Sequence, residues 1–363
     1  MITSSIRAAS ASLLLLFAAA LSPQEPLKKP AIELWHGDVR RAGLLGDQQD
    51  DFNITGHVEP WQELDLLHYR INGGHPVPLA FRAFRRLARD GDFNADLPIG
   101  MLAPGRNTIT IEAQFRGGRR ARRDVTVIRE TGSSRLPLFL RWRDVRHIDE
   151  AGHAADGEWL ITRDGLRTAR PGYDRLFLIG ERSWRDYEVS TTVTIHSVEK
   201  ETPPYSGGNG AGLLLRFSGH VAGGPRHFPS GQPKWGYQPF GAIGWLRWNK
   251  QLPERAPLLQ FYRGDSDQTV EYGSFPVEEG SSVGLRFACR TLADSPDGAG
   301  VTEYRFRVWK LPGQEPDGWT WTCVQTSRHA LRQGGLALLA HHVDATFGDV
   351  FVRPVAADEE LKR

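Results

Sequence analysis

Residues 210–220, Gly-Ala-Gly-Leu-Leu-Leu-Arg-Phe-Ser-Gly-His, constrain the fold more than any other stretch. Side chains two apart in a strand share a face, so Leu213, Leu215 and Phe217 define one buried side. Arg216, Ser218 and His220 then fall on the other. A second stretch, 334–352, is read the same way, as a strand with a buried and a polar face. Such alternation sets a period of two, which suits sheets and excludes an amphipathic helix.

The rest of the chain carries the same signal. Residues 52–58 and 107–113 alternate, 66–71 reads as a strand ending at the turn Asn72-Gly73-Gly74, and 107–113 returns through Gly117-Gly118 to 124–128 as a hairpin. No segment shows confident helical spacing. With 363 residues the chain is long enough for two domains. Thr131-Gly132-Ser133-Ser134-Arg135 reads as the boundary between a unit at 31–130 and one at 138–355.

Hydrophobic content of 40% and charged content of 24% describe an ordinary globular core. A net charge of +2 argues against dedicated nucleic-acid binding. Lys occurs only at 28, 29, 200, 234, 250, 310 and 362, so Arg supplies most of the positive charge. Residues 1–21 read as an export signal: Arg7, an apolar run from Ala8 to Leu21, and a small-residue site at Ala18-Ala19-Ala20. That run is short for a bilayer span, and no later segment is apolar enough for one. The expected location is periplasmic or extracellular, with no membrane span in the mature protein.

The two cysteines, Cys289 and Cys323, are candidates for a disulfide in an exported protein, with two buried free thiols as the alternative. Asp90, Asp92, Asn94 and Asp96 have the spacing of a calcium loop, but Ala95 stands where the sharp turn needs Gly. They are read as an acidic turn. The basic tip from Arg116 to Arg123 is read as a solvated edge that discourages strand addition.

Two resemblances follow. The stretches 69–74, 86–87, 91–98 and 102–107 resemble the immunoglobulin-like modules attached to secreted bacterial enzymes and lectins. The Trp-x-Asp-Tyr-Glu-Val stretch at 184–189, the Gly-Ala-Gly-Leu-Leu-Leu-Arg-Phe stretch at 210–217 and the closing run 334–352 resemble a concanavalin A-like (laminin-G-like) lectin/glucanase jelly roll. The implied fold is all-β: an immunoglobulin-like sandwich followed by a jelly-roll sandwich. The resemblance further implies carbohydrate as the partner, met on the concave face, and a candidate structural calcium at Asp349. No other cofactor is implied.

Strand parity gathers a candidate carbohydrate-binding set: Glu188, Arg216, His220, Trp245, Arg247, Gln260, Tyr262 and His341 (or its neighbour His342). Aromatic faces stack on sugar rings while Arg and Gln form hydrogen bonds with hydroxyls. Trp245 and Trp248 lie in a stretch with aromatics at both parities, and each is alternatively a core residue. Arg216 alternatively pairs with Glu188 across strands. The Glu-x-Asp-x-x-Glu strand of laminarinase-like hydrolases is absent, as are the paired strands of alginate lyases. Bond cleavage therefore stays an alternative. A lyase would use His220 or Tyr262 with Arg216; a hydrolase would use Glu188 with Glu271 or Asp265. A structural cell-surface protein is the third reading.

Overall fold

The computed structural model describes residues 29–221, 232–236, 239–250, 255–266, 268–292 and 298–355. The export signal read at 1–21 lies outside them. The described residues are all-β, with only short 3-10 turns between strands. Among them no helix is long and apolar enough to cross a membrane.

Two hydrophobic cores form. The first lies between a three-stranded sheet (Ala31–Leu34, Asp51–Glu59, Asp92–Pro98) and a five-stranded one. The five run in the order Val39–Ala42, Arg120–Arg129, Gly105–Phe115, Leu64–Ile71 and Val77–Pro78. Phe52, Ile54, Phe93, Leu97, Ile109, Ile111, Val125 and Val127 fill the space between them. They are the apolar members of the alternating runs.

The second core lies between larger sheets. The seven-stranded one runs His153–Ala154, Arg175–Ile179, Gly335–His341, Gly208–Phe217, Ala242–Asn249, Leu258–Arg263, Thr269–Ser274. Its partner is a nine-stranded sheet centred on Tyr187–Val198 and Ser282–Thr291. Leu213, Leu215, Leu246, Phe261, Phe287, Phe306 and Leu338 meet between the two.

Here two expectations are corrected. Every residue of Gly208–Phe217 and of Gly335–His341 is buried, so neither strand has a solvated face. The side of the seven-stranded sheet away from the core carries its own apolar cluster, including Leu176, Leu178, Leu214, Ile243 and Leu339. Strands covered on both faces read as continuous apolar runs, as Leu213-Leu214-Leu215 does.

The second correction concerns Asp92, Asn94 and Asp96. They form no acidic turn but one face of the strand Asp92–Pro98, each at most 2% exposed. That face meets the second sandwich. Asn94 Nδ2 donates to the Ala155 carbonyl at 2.8 Å, and Arg86 binds both Asp96 and Asp156. Nearby, Arg40 reaches Asp149 through Nη2 at 2.7 Å, and the Asn53 N–H donates to His153 Nε2 at 3.2 Å. The junction is a buried polar layer in which Arg40 is paired with Asp149, and Arg86 with Asp96 and Asp156.

The disulfide expectation fails on register. Cys289 pairs with Tyr304, and Tyr304 pairs on its other side with Cys323. The cysteines are two strands apart, roughly 9–10 Å at the usual strand spacing. A disulfide needs Cα atoms within about 7 Å. Both are free thiols, and burial raises the pKa of each.

Candidate functional site

A cavity of about 310 Å³ opens over the seven-stranded sheet, on the face away from the inter-sheet core. That volume sits at the small end of ligand clefts, roughly 300–1,000 Å³. Strand register builds its floor in three rows. His341, Gly210, Arg247 and Leu258 are cross-strand neighbours. The next row is Leu339, Gly212, Trp245, Gln260 and Glu271. The third is Leu214, Ile243, Tyr262 and Thr269. Successive rows are two residues apart on every strand, so all project to one side.

Glycines decide the pose of the tryptophan. A Cβ at Gly210 would lie 2.5 Å from Cε3 of Trp245, so the indole lies down against this strand only because no side chain stands there. Its Nε1 donates to Gln260 Oε1 at 3.0 Å, which orients the amide with its nitrogen toward Glu271 Oε1, 3.4 Å away. The Arg247 guanidinium sits 4.7 Å from the indole centroid. An aromatic ring, a guanidinium, an amide and a carboxylate are thus held side by side.

One wall is a hydrogen-bonded chain. His341 Nδ1 lies 2.7 Å from Asp174 Oδ1, and its Nε2 lies 2.8 Å from Ser206 Oγ. Burial pushes the His341 pKa down, against the pull of Asp174. Burial alone would raise the Asp174 carboxyl, but His341 beside it holds it below the usual range. The Asp174 carboxylate can only accept, so His341 Nδ1 donates to it, while Nε2 shares a hydrogen bond with the Ser206 hydroxyl. The order carboxylate–imidazole–hydroxyl is that of a nucleophilic triad. Ser206 is only 3% exposed, however, and its Oγ also lies 3.0 Å from the Gly208 carbonyl. The chain ties the segment 203–208 to the sheet.

Backbone strain gathers at the same place. Among the described residues, five other than glycine have left-handed φ, and three of them, Arg85, Asp174 and His342, cluster at this wall (φ 49°, 45° and 55°). Asp174 lines the cavity, and the His342 ring is 4.7 Å from that of His341. Such outliers persist only where surroundings hold them, and they concentrate at ligand sites.

Of the eight residues expected to share a groove, five line this cavity: Trp245, Arg247, Gln260, Tyr262 and His341. Three do not. Glu188 belongs to the other sheet and pairs with Arg286 and Arg353. Arg216 is buried among Asp186, Thr291 and Thr302. His220 lies in the junction, with Nε2 2.6 Å from Asp156 Oδ2. A lyase built on Arg216 and His220 has no common site here. Asp265 is held by Arg263 outside the cavity.

Asp349 accepts the Trp142 N–H at 3.1 Å. No group of three or more His, Cys, Asp or Glu side chains among the described residues is placed to hold a metal ion. Three wall residues escaped the sequence reading: Tyr173, Asp174 and Tyr205. The local signals are the turn-forming Pro171-Gly172 before Tyr173 and Asp174, with Asp among the residues that tolerate left-handed φ, and Pro203-Pro204 before Tyr205. The segment between Gly219 and Tyr237 falls largely outside the described residues, at 222–231 and 237–238.

No protein-family model matches the sequence, and no curated protein matches it. Solved structures with partial likeness include the VIP36 exoplasmic/lumenal domain in its Ca²⁺-bound form, at 11% identity and a TM-score of 0.35. That match covers 56% of this chain and 84% of that one. A xylan β-1,4-xylosidase from Bacillus halodurans C-125 matches at 12% identity and a TM-score of 0.38, over 68% of this chain and 51% of its own. SGBP-B of the Bacteroides ovatus mixed-linkage glucan utilization locus, in complex with a mixed-linkage heptasaccharide, matches at 10% identity and a TM-score of 0.19, over 90% of this chain and 100% of its own. The functional reading below is built on the cavity alone.

Proposed function

We propose that this chain is an exported carbohydrate-binding protein whose ligand enters the cavity over the seven-stranded sheet. The observation that carries the reading is the row Gly212, Trp245, Gln260 and Glu271. The indole lies against the glycine strand with the Arg247 guanidinium over it and is 6% exposed, so it forms the cavity floor against which the edge of a sugar ring would rest rather than an open platform. Beside it the Gln260 amide nitrogen is set to donate to one sugar hydroxyl and the Glu271 carboxylate to accept from its neighbour. Arg247 adds a planar fork at the next row.

An oligosaccharide array probed with the full chain tests this. The expected result is a bound sugar whose affinity falls about tenfold or more in Gln260→Ala and in Glu271→Gln, with thermal unfolding nearly unmoved in Glu271→Gln and lowered in Gln260→Ala, which strands the buried Trp245 N–H. An array with no bound sugar would sink the reading.

Hydrolysis is the second reading, favoured by one observation: Asp174 and Glu271 both line the cavity. Two carboxylates flanking one bond are what glycoside hydrolysis requires. A reducing-end assay on the bound oligosaccharide, abolished in Glu271→Gln, would support it.

A further inference from the structure

We infer that the first sandwich is a working part of the sugar site, through Arg85, a positioning residue that sets the cavity's aromatic wall. The inference rests on the carbohydrate reading and extends it from one sandwich to both.

Tyr173 and Tyr205 line the cavity and belong to the second sandwich. Both are held from outside it. The backbone N–H of Arg85 donates to the Tyr205 hydroxyl oxygen at 3.1 Å, and Arg85 Nη1 donates to that of Tyr173 at 2.9 Å. Because each phenol oxygen accepts from Arg85, its own hydrogen is directed elsewhere. The same guanidinium lies 4.1 Å from the Trp235 ring centroid, 5.4 Å from that of Tyr173 and 5.8 Å from that of Tyr205. Phe84 adds an edge contact to Tyr205, with centroids 5.0 Å apart.

Two features separate this contact from ordinary packing. Arg85 holds a left-handed φ of 49°, an unfavourable backbone for a residue with a Cβ, maintained where its N–H meets a cavity residue. The segment it touches is also fastened independently: Lys250 Nζ donates to the Pro203 carbonyl at 2.7 Å, and Ser206 is tied to His341. Arg85 is therefore one of several ties on 203–208, whose loss loosens the segment without releasing it from the sheet. Its contribution is the placement of two phenol rings, which is where a sugar's stacking surface and hydroxyl partners are set.

The test uses the full chain with Arg85→Gly, which removes the side chain while suiting the left-handed backbone. Arg85→Lys keeps a cation without the planar fork, and Tyr205→Phe removes one acceptor. Hydrogen exchange of backbone amides is read alongside affinity for the oligosaccharides of a printed neutral and uronate-bearing array. The expected result in Arg85→Gly is faster exchange confined to residues 172–174 and 203–208. Affinity should fall about tenfold, with partial recovery in Arg85→Lys and a smaller loss in Tyr205→Phe. Unchanged exchange at those residues overturns the inference, as does faster exchange with unchanged affinity. A wild-type chain that binds nothing on the array sinks the carbohydrate reading instead, and the role inferred for Arg85 falls with it.

Discussion

Arg86 of the first sandwich donates from Nε to the Asp156 carboxylate of the second, and the two side chains are 1% and 0% exposed. Around them Asn94, Asp96 and His220 complete a layer in which buried charge is matched by charge. This layer sits beside the strands that carry the cavity wall, so it fixes where the first sandwich meets the site.

Removing one member should therefore be costly. Arg86→Ala leaves the Asp156 and Asp96 carboxylates buried with less compensation, at about 3–5 kcal/mol. Asp156→Asn should cost a similar amount. The double variant should lose less than the sum, since the Arg86–Asp156 interaction is counted once, with Asp96 still short of its partner. Urea unfolding of the three variants checks this; additive losses would mean that the pair is not coupled.

The junction should also be acid-sensitive. Burial, with the nearby Arg40 charge, pushes His153 down to about 3, and His36 is likewise held well below its ordinary value. The unfolded chain takes up these protons near pH 6.5 while the folded one cannot, so stability is full above about pH 6.5. It is lost as pH falls toward 3, by about 3 kcal/mol from His153 alone at pH 4. Asp149 and Asp156, held below the usual carboxylate range, add a further loss at lower pH. Thermal unfolding from pH 8 to 4 should show a flat region and then a decline that is shallower in His153→Gln. An identical decline in that variant would move the effect to other groups.

Gly210→Ala tests the pose of Trp245 without touching a polar group. The added methyl would meet the indole at 2.5 Å, so the ring must lift. A destabilisation of about 1–3 kcal/mol is expected from overpacking. Near-ultraviolet circular dichroism should change, and affinity for any array-bound sugar should drop. Retained affinity would show that the indole is not part of the ligand surface.

Thiol counting separates register from the disulfide that composition invites. Non-reduced, denatured protein should react at both Cys289 and Cys323. Reductant should leave the unfolding temperature of the native chain unchanged, because Tyr304 stands between their strands. A protein with no titratable thiol would contradict the strand order.

Much of the fold was legible because apolar alternation reports which residues share a face. Trp245, Arg247, Gln260 and Tyr262 came together because neighbouring strands kept their period unbroken. Alternation does not say what covers a face. Asp92, Asn94 and Asp96 look solvated in sequence, yet they are buried: Arg86, Ala155 and Lys234 answer Asn94 and Asp96, while His57 and Arg89 hold Asp92. Nor does it reveal Asp174 or Tyr205, which reach the cavity from loops and whose placement depends on His341 and Arg85.

Arg216 shows the other limit, and its substitution is the last test. The alternation Leu213, Leu215, Phe217 places Arg216 opposite them, but the pairing shifts register between Leu215 and Phe217. At this bulge Arg216 takes a φ of 53°. One extra residue reverses the faces that follow it. Leu215 stays in the inter-sheet core, while Phe217 joins the cluster on the opposite face. Arg216 is turned inward, where five acceptors receive it: Asp186, Thr291, Thr302 and the carbonyls of Arg185 and Leu331, at 2.8–3.0 Å. These groups belong to several separate segments, so the guanidinium knits the sheets rather than facing a ligand. Arg216→Ala should cost about 3 kcal/mol, since it strips a buried network of its only donor fork there. Arg216→Lys should recover little, because one ammonium cannot serve so many directions. The folded fraction of either variant should bind sugar as the wild type does. A weakened affinity at unchanged unfolding temperature would return Arg216 to the ligand face.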